Sequence, residues 1–167
     1  MALFFSFMKL LFCIFVRMSF LYDIIIFKNK YVLLFLALFN KKINLFVEGR
    51  KGTFSKIASL KGEKTIWFHA ASLGEFEQAI PIIEKIKETY RTHKILVTFF
   101  SPSGYEIRKN YKLADVVCYL PLDSKSNAKK FIETINPTIV IFIKYEFWPN
   151  LLNELYKKEV KTILVSG

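Results

Sequence analysis

Residues 65–100 read TIWFHAASLGEFEQAIPIIEKIKETYRTHKILVTFF. An apolar run, Thr65–His69, gives way to a helical pattern with Phe76, Ala79, Ile80, Ile83 and Ile86 on one face. A second apolar run follows over residues 94–100. Strands apolar on both faces, joined by an amphipathic helix, predict a β-α-β unit with parallel strands. The rest of the chain repeats the pattern. A short helix over Gly104–Asn110, a strand over Asp115–Tyr119 and a helix over Asn127–Ile135 come first, with Pro137 as the stop. A strand over Thr138–Ile143, a helix over Asn150–Lys158 and a strand over Lys161–Val165 complete the series. The fold class is α/β: a Rossmann-like parallel sheet with helices on both faces. Such sheets place their chemistry at the carboxyl ends of the strands.

The N-terminal region is different. Residues 1–27 are almost solidly apolar, broken by Lys9, Arg17 and Asp23, and a second apolar run, YVLLFLALFN, lies between Lys28/Lys30 and Lys41/Lys42. Three readings fit: an uncleaved membrane-associated helical leader, a signal peptide, or helices buried against protein. No small-x-small cleavage site follows the run, and basic punctuation suits the anionic cytoplasmic side of a membrane. The expected organisation is a membrane-anchoring or interfacial region over 1–42, a basic linker over 43–64, and a Rossmann-like domain over 65–167. The chain stops just after a strand, so a truncated domain is expected.

Composition narrows the function. The 167 residues carry 25 Lys+Arg against 14 Asp+Glu, a net +11, and are 53% hydrophobic. High charge with high apolarity suits an anionic lipid surface better than nucleic acid. The two cysteines, Cys13 and Cys118, form no CxxC pair, and two histidines make no zinc cluster. Neither GxGxxG, Walker A nor HExxH is present, so nothing points to NAD, ATP or a metal.

The strand ends carry the candidate site. After the first strand come His69, Ser72, Gly74 and Glu75. Small residues let a ligand approach the backbone, and a helix N-terminus favours an anion. Ser72-x-x-Glu75 is a capping box in one reading; in the other, Glu75 is a general base facing the cleft. His69 either orients a ligand or is a satisfied strand-end histidine. Ser101, Ser103 and Gly104 form a second polar shelf, with Ser103 and Glu106 a possible second capping box. Asp123 caps the next helix or turn, or reaches the cleft. Glu146, between Tyr145 and Phe147-Trp148, is either a sugar-binding carboxylate or a solvated residue on a loop that packs Trp148 into the core. Arg50-Lys51-Gly52 is a basic turn: a solvated linker, or a contact to headgroups or substrate phosphate.

Five stretches together resemble the 3-deoxy-D-manno-octulosonic acid (Kdo) transferases of lipopolysaccharide synthesis. They are NLFVEGRKG at 44–52, WFHAASLGEFEQA at 67–79, TFFSPSGYE at 98–106, YLPLD at 119–123 and KYEFWPNLL at 144–152, in the family's order and spacing. The resemblance implies the N-terminal, acceptor-binding half of a GT-B glycosyltransferase on the cytoplasmic face of the bacterial inner membrane. It implies inverting transfer of Kdo from CMP-Kdo to a lipid A precursor, without a cofactor or dedicated metal. The family's general base falls on Glu75, beside Ser72 and Gly74. Its acceptor-side or structural glutamate falls on Glu146. Its basic element falls on Arg50 and Lys51, facing lipid phosphates or headgroups, and the shelf at Ser101, Ser103 and Gly104 helps line the cleft. Many relatives have threonine where Ser101, Ser103 and Tyr145 stand. The donor-binding domain is absent, so this stretch alone is expected to be inactive within an enzymatic parent. The competing expectations are another membrane-associated GT-B glycosyltransferase, and a non-catalytic membrane-bound binding subunit.

Overall fold

The computed structural model describes residues 21–26, 28, 31–144 and 146–165. Five strands, β1 (Thr65–Ala70), β2 (Lys94–Phe99), β3 (Val116–Tyr119), β4 (Pro137–Ile143) and β5 (Lys161–Val165), form one sheet in the order β3-β2-β1-β4-β5. Every pairing is parallel. The helices are α1 (Lys41–Lys51), α2 (Thr53–Ile57), α3 (Leu73–Thr89), α4 (Pro102–Arg108), α5 (Lys125–Ile135) and α6 (Pro149–Lys157). This is the doubly wound, Rossmann-like arrangement, and the order reverses between β1 and β4.

The alternation of side chains along the strands builds two cores. Trp67, Leu96, Cys118, Val140 and Phe142 face α5 and α6, where Phe131, Ile132, Ile135, Leu151 and Leu155 meet them. Ile66, Phe68, Ile95, Val97, Phe99 and Ile141 face α3, through Phe76, Ala79 and Ile83. All six residues of β1 are buried, as a central strand with covered faces requires. Cys118 is a free thiol in this interior, and burial pushes its pKa up to about 12, which leaves it unreactive.

Helix starts differ from the sequence reading by a few residues, and the caps explain why. Ser101, with Pro102 in the first turn, starts α4 ahead of Gly104, so the Ser103/Glu106 box does not form. Glu106 instead pairs with Lys109 at 2.7 Å. Ser124 caps α5 by accepting from the Asn127 N–H. Pro137 opens β4 rather than merely ending a helix; Asn136, at φ 34, makes the left-handed turn between them.

The 43–64 stretch is not a solvated linker. α1, α2 and a 3-10 turn over Ala58–Leu60 occupy most of it, and Thr53, Ile57 and Leu60 are buried. Thr53 Oγ1 donates to the Tyr119 carbonyl at 3.0 Å, fastening α2 to β3. The apolar leader lies mostly outside the described residues, including Cys13, Lys9 and Arg17. Among the described residues no helix is long and apolar enough to cross a membrane. Its described end is helical over 21–26 and 31–37, and carries exposed Tyr31, Phe35, Leu38 and Phe39.

Gly104 tests the packing. It is buried, and a Cβ there would lie 2.4 Å from the Phe99 ring and 3.1 Å from the Leu73 backbone nitrogen. Overpacking costs about 1–3 kcal/mol, against roughly 1 kcal/mol gained by replacing a helical glycine. Gly104→Ala should therefore lower the urea midpoint. An unchanged midpoint would show that the Phe99 ring yields freely.

Candidate active site

The carboxyl ends of β1, β2 and β4 converge where the strand order reverses. α3 begins after β1, with Ser72 as N-cap and Glu75 in the first turn completing a capping box. Glu75 Oε2 accepts from the Ala71 N–H at 2.6 Å and from the Ser72 N–H at 3.2 Å. Both bonds fall on one oxygen. Gly74 is exposed, and a Cβ there would meet nothing within 4 Å, so the ground beside Glu75 is open. The loop after β2 is tied alongside, since the Ser101 N–H donates to the Ala71 carbonyl at 2.8 Å. Ser101 and Ser103 share a hydroxyl contact of 2.9 Å at the surface of this shelf. Gly104 packs inward on Phe99 and does not line the cleft.

A buried polar chain runs beneath. His69 is fully buried. Its Nδ1 lies 2.8 Å from Thr98 Oγ1 and 3.1 Å from the Thr98 carbonyl, and its Nε2 lies 3.3 Å from Glu146 Oε2. Trp148 Nε1 donates to the same Oε2 at 3.0 Å. His69 is thus the satisfied histidine of the two readings. Glu146 is half-buried and doubly bonded, so it is not solvated, while Trp148 packs partly against the core. Tyr145 lies outside the described residues. Lys144, at φ 62, adopts the left-handed region and turns the chain back over the sheet. That conformation costs a non-glycine residue about 1–2 kcal/mol, and the Lys144 N–H bond to the Val165 carbonyl helps to hold it.

Arg50 is not a surface contact. Its Nη1 donates to the Phe46 carbonyl at 2.8 Å and its Nη2 to the Phe100 carbonyl at 2.7 Å. The guanidinium sits 3.4 Å over the Phe46 ring, and burial lowers its pKa. The reading of Arg50 as a lipid-phosphate contact gives way to that of an internal clamp, because the residue is buried and both of its Nη atoms donate to backbone carbonyls. The aromatic stack continues from Phe46 to Phe100 and on to Trp148, with centroids 5.2 and 4.8 Å apart. Lys51 remains exposed and pairs with Glu48 at 2.7 Å.

Asp123 does not cap its own helix. Its carboxylate accepts from the Asn150 and Leu151 N–H groups at 3.0 and 2.9 Å, which caps α6, and from the Tyr22 hydroxyl at 3.0 Å. Asn150 also bonds Asp23 at 3.0 Å. Tyr22 and Asp23 are thereby fastened to Asp123 and to the first turn of α6. Sequence reasoning missed this cap because its target lies 27 residues away.

Over residues 47–167 the chain matches the family model described as 3-Deoxy-D-manno-octulosonic-acid transferase (kdotransferase). It is 41% identical over 96 residues to the 3-deoxy-D-manno-octulosonic acid transferase of Aquifex aeolicus, covering 56% of this chain and 26% of that one. It is 32% identical over 112 residues to the protein of that name from Haemophilus influenzae, covering 66% and 26%. A bifunctional glycosyltransferase/methyltransferase of Fusobacterium nucleatum is 31% identical over 130 residues, covering 76% and 20%. The chain therefore spans only about a quarter of the length of these relatives, or less.

Burial raises the Asp123 pKa, against the opposing hydrogen bonds from Asn150, Tyr22 and Leu151. The folded chain then holds that proton more tightly than the unfolded one. The stabilisation this gives is complete below the ordinary carboxylate value, about 3.9, and is lost as pH rises through the folded value. The unfolding free energy of the wild type minus that of Asp123→Asn should therefore fall as pH rises from about 4. A difference that rises over that range would contradict the assignment.

Proposed function

The chain belongs to the 3-deoxy-D-manno-octulosonic-acid (Kdo) transferase family, and on that premise we propose that it is the acceptor-binding half of an inverting Kdo transferase. In this reading Glu75 is the general base, and CMP-Kdo is held by a second domain of the longer parent. The observation that carries the proposal is the placement of Glu75. Its carboxylate stands at the carboxyl end of β1, anchored through Oε2 by two backbone N–H groups, beside the open surface at Gly74. An acceptor hydroxyl on a lipid A precursor attacks the anomeric carbon of Kdo. The new C–O bond forms as CMP departs with the electron pair of the old bond, and Glu75 takes the hydroxyl proton. No cofactor is invoked. Ser72, Ser101 and Ser103 edge the same cleft and offer hydroxyls to the acceptor. In this reading transfer needs both the Glu75 side and the domain that holds CMP-Kdo.

The partner surface is the cytoplasmic face of the bacterial inner membrane. Leu38 and Phe39, 76% and 77% exposed, stand just before Lys41 and Lys42. Apolar tips with a basic rim suit an anionic interface. The chain should bind vesicles containing phosphatidylglycerol, more weakly in high salt, and Leu38→Ser with Phe39→Ser should weaken binding further. Equal binding to neutral vesicles by both forms would contradict this orientation.

Glu75 has two roles that one substitution separates. Glutamine also completes a capping box, but it takes no proton. In the full-length parent, Glu75→Gln should keep the melting temperature while Kdo transfer falls on the order of 10²- to 10⁴-fold. A folded Glu75→Gln protein with undiminished transfer would leave Glu75 as a cap alone.

A further inference from the structure

Five side chains from β1, β2 and the loop after β4 form one directional chain of hydrogen bonds. Trp67 Nε1 reaches Thr98 Oγ1 at 2.7 Å. An indole N–H can only donate, so the threonine oxygen accepts. The hydroxyl has one proton of its own to place. His69 Nδ1 lies 2.8 Å away, whereas the alternative acceptor, the Phe68 carbonyl, lies 3.4 Å away. Nδ1 also lies 3.1 Å from the Thr98 carbonyl, which would draw a hydrogen to Nδ1, but the shorter contact is to the hydroxyl. With the hydroxyl proton given to the nearer acceptor, Nδ1 is the unprotonated nitrogen. Neutral His69 then carries its hydrogen on Nε2, aimed at Glu146 Oε2. Trp148 supplies a second N–H to that oxygen. Each N–H and O–H in this series then has an acceptor.

The other neutral tautomer fails. With hydrogen on Nδ1, the ring would donate to Thr98 and turn the bare lone pair of Nε2 onto a carboxylate oxygen 3.3 Å away. Two acceptors cannot bond, and Glu146 would have to move or take up a proton. His69 and Thr98 are fully buried, so no water screens the mismatch.

From this we propose that His69 is a positioning residue, set in its Nε2–H tautomer by Thr98 and Trp67, and that it fixes Glu146 as an acceptor for hydroxyl groups of the sugar being glycosylated. Both fixed bonds land on Oε2, and among the described residues Oε1 takes none. The carboxylate is partly open, with 17% of the side chain exposed, and Phe147 beside it is 67% exposed. A carboxylate with one oxygen held and the other presented, next to an aromatic ring, suits a polyhydroxylated ring. Glu75 and Glu146 follow neighbouring strands at the reversal of strand order, so one acceptor meets both. The inference rests on the acceptor-binding role proposed above. The hydrogen-bond chain itself is testable without that role.

The first arm uses the unaltered chain, labelled with ¹⁵N-histidine. There are two histidines, His69 and His93, and His93→Gln assigns the signals. At neutral pH, His69 should show a pyrrole-type Nε2 and a pyridine-type Nδ1. In Thr98→Val the Nδ1-protonated form should appear. A wild-type Nδ1–H tautomer or an imidazolium, or an unchanged tautomer in Thr98→Val, overturns the proposal. The second arm measures Kdo transfer by the full-length parent. His69→Phe should raise the acceptor KM on the order of tenfold and leave the CMP-Kdo KM unchanged. His69→Gln, whose amide replaces the Nε2–H donor, should restore most of it. A folded His69→Phe protein with unchanged acceptor KM overturns the positioning role. A parent that transfers no Kdo at all would sink the functional reading, and the first arm would still decide the hydrogen-bond chain. That arm also stands if His69 variants fail to fold.

Discussion

A polar ring buried in the middle strand of a two-faced sheet is the constraint on which the site depends. β1 is covered on both faces and paired on both edges, so His69 has no water to bond. An unmade bond in such a place costs about 1–3 kcal/mol, more than a typical made bond returns. The partners must come from the neighbours. Thr98 comes from β2 on one side, and Glu146 comes from the turn after β4 on the other. The left-handed backbone at Lys144 is the local strain that this arrangement carries. The outcome is a carboxylate held after β4, on the strand next to the one that leads into α3.

The region before the sheet supports the same place from below. Arg50 crosses from α1 to the carbonyl of Phe100, and the ring contacts of Phe46, Phe100 and Trp148 continue the link to Glu146. Asp123 binds the start of α6 and the end of the leader in one carboxylate. Tyr22 and Asp23 before the sheet and the start of α6 beside the cleft are thus joined. Motion of the leader would reach α6 through Asp123 and Asn150.

The strands were legible because central parallel strands must be apolar on both faces, and runs such as KILVTF and TIVIFI leave no other reading. Glu75 was legible as a cap, and the same four residues carry the proposed reading as a base. Helix starts were less so: the periodic apolar face of α5 begins at Ala128, but its cap is Ser124. Residues 43–64 looked like linker because their polarity is real. What polarity hides is that Arg50 turns its guanidinium inward and that Thr53 and Ile57 are buried. The cap on α6 and the bond from His69 to Glu146 join residues 27 and 77 apart, and no local pattern announces either.

The most direct measurement is a crystal structure of the full-length parent with a lipid A precursor bound. The account predicts an acceptor hydroxyl within about 2.6–3.2 Å of the Glu75 carboxylate, on the open side next to Gly74, with a second hydroxyl on Glu146. An acceptor sugar seated elsewhere, with Glu75 engaged only by the backbone of Ala71 and Ser72, would contradict it.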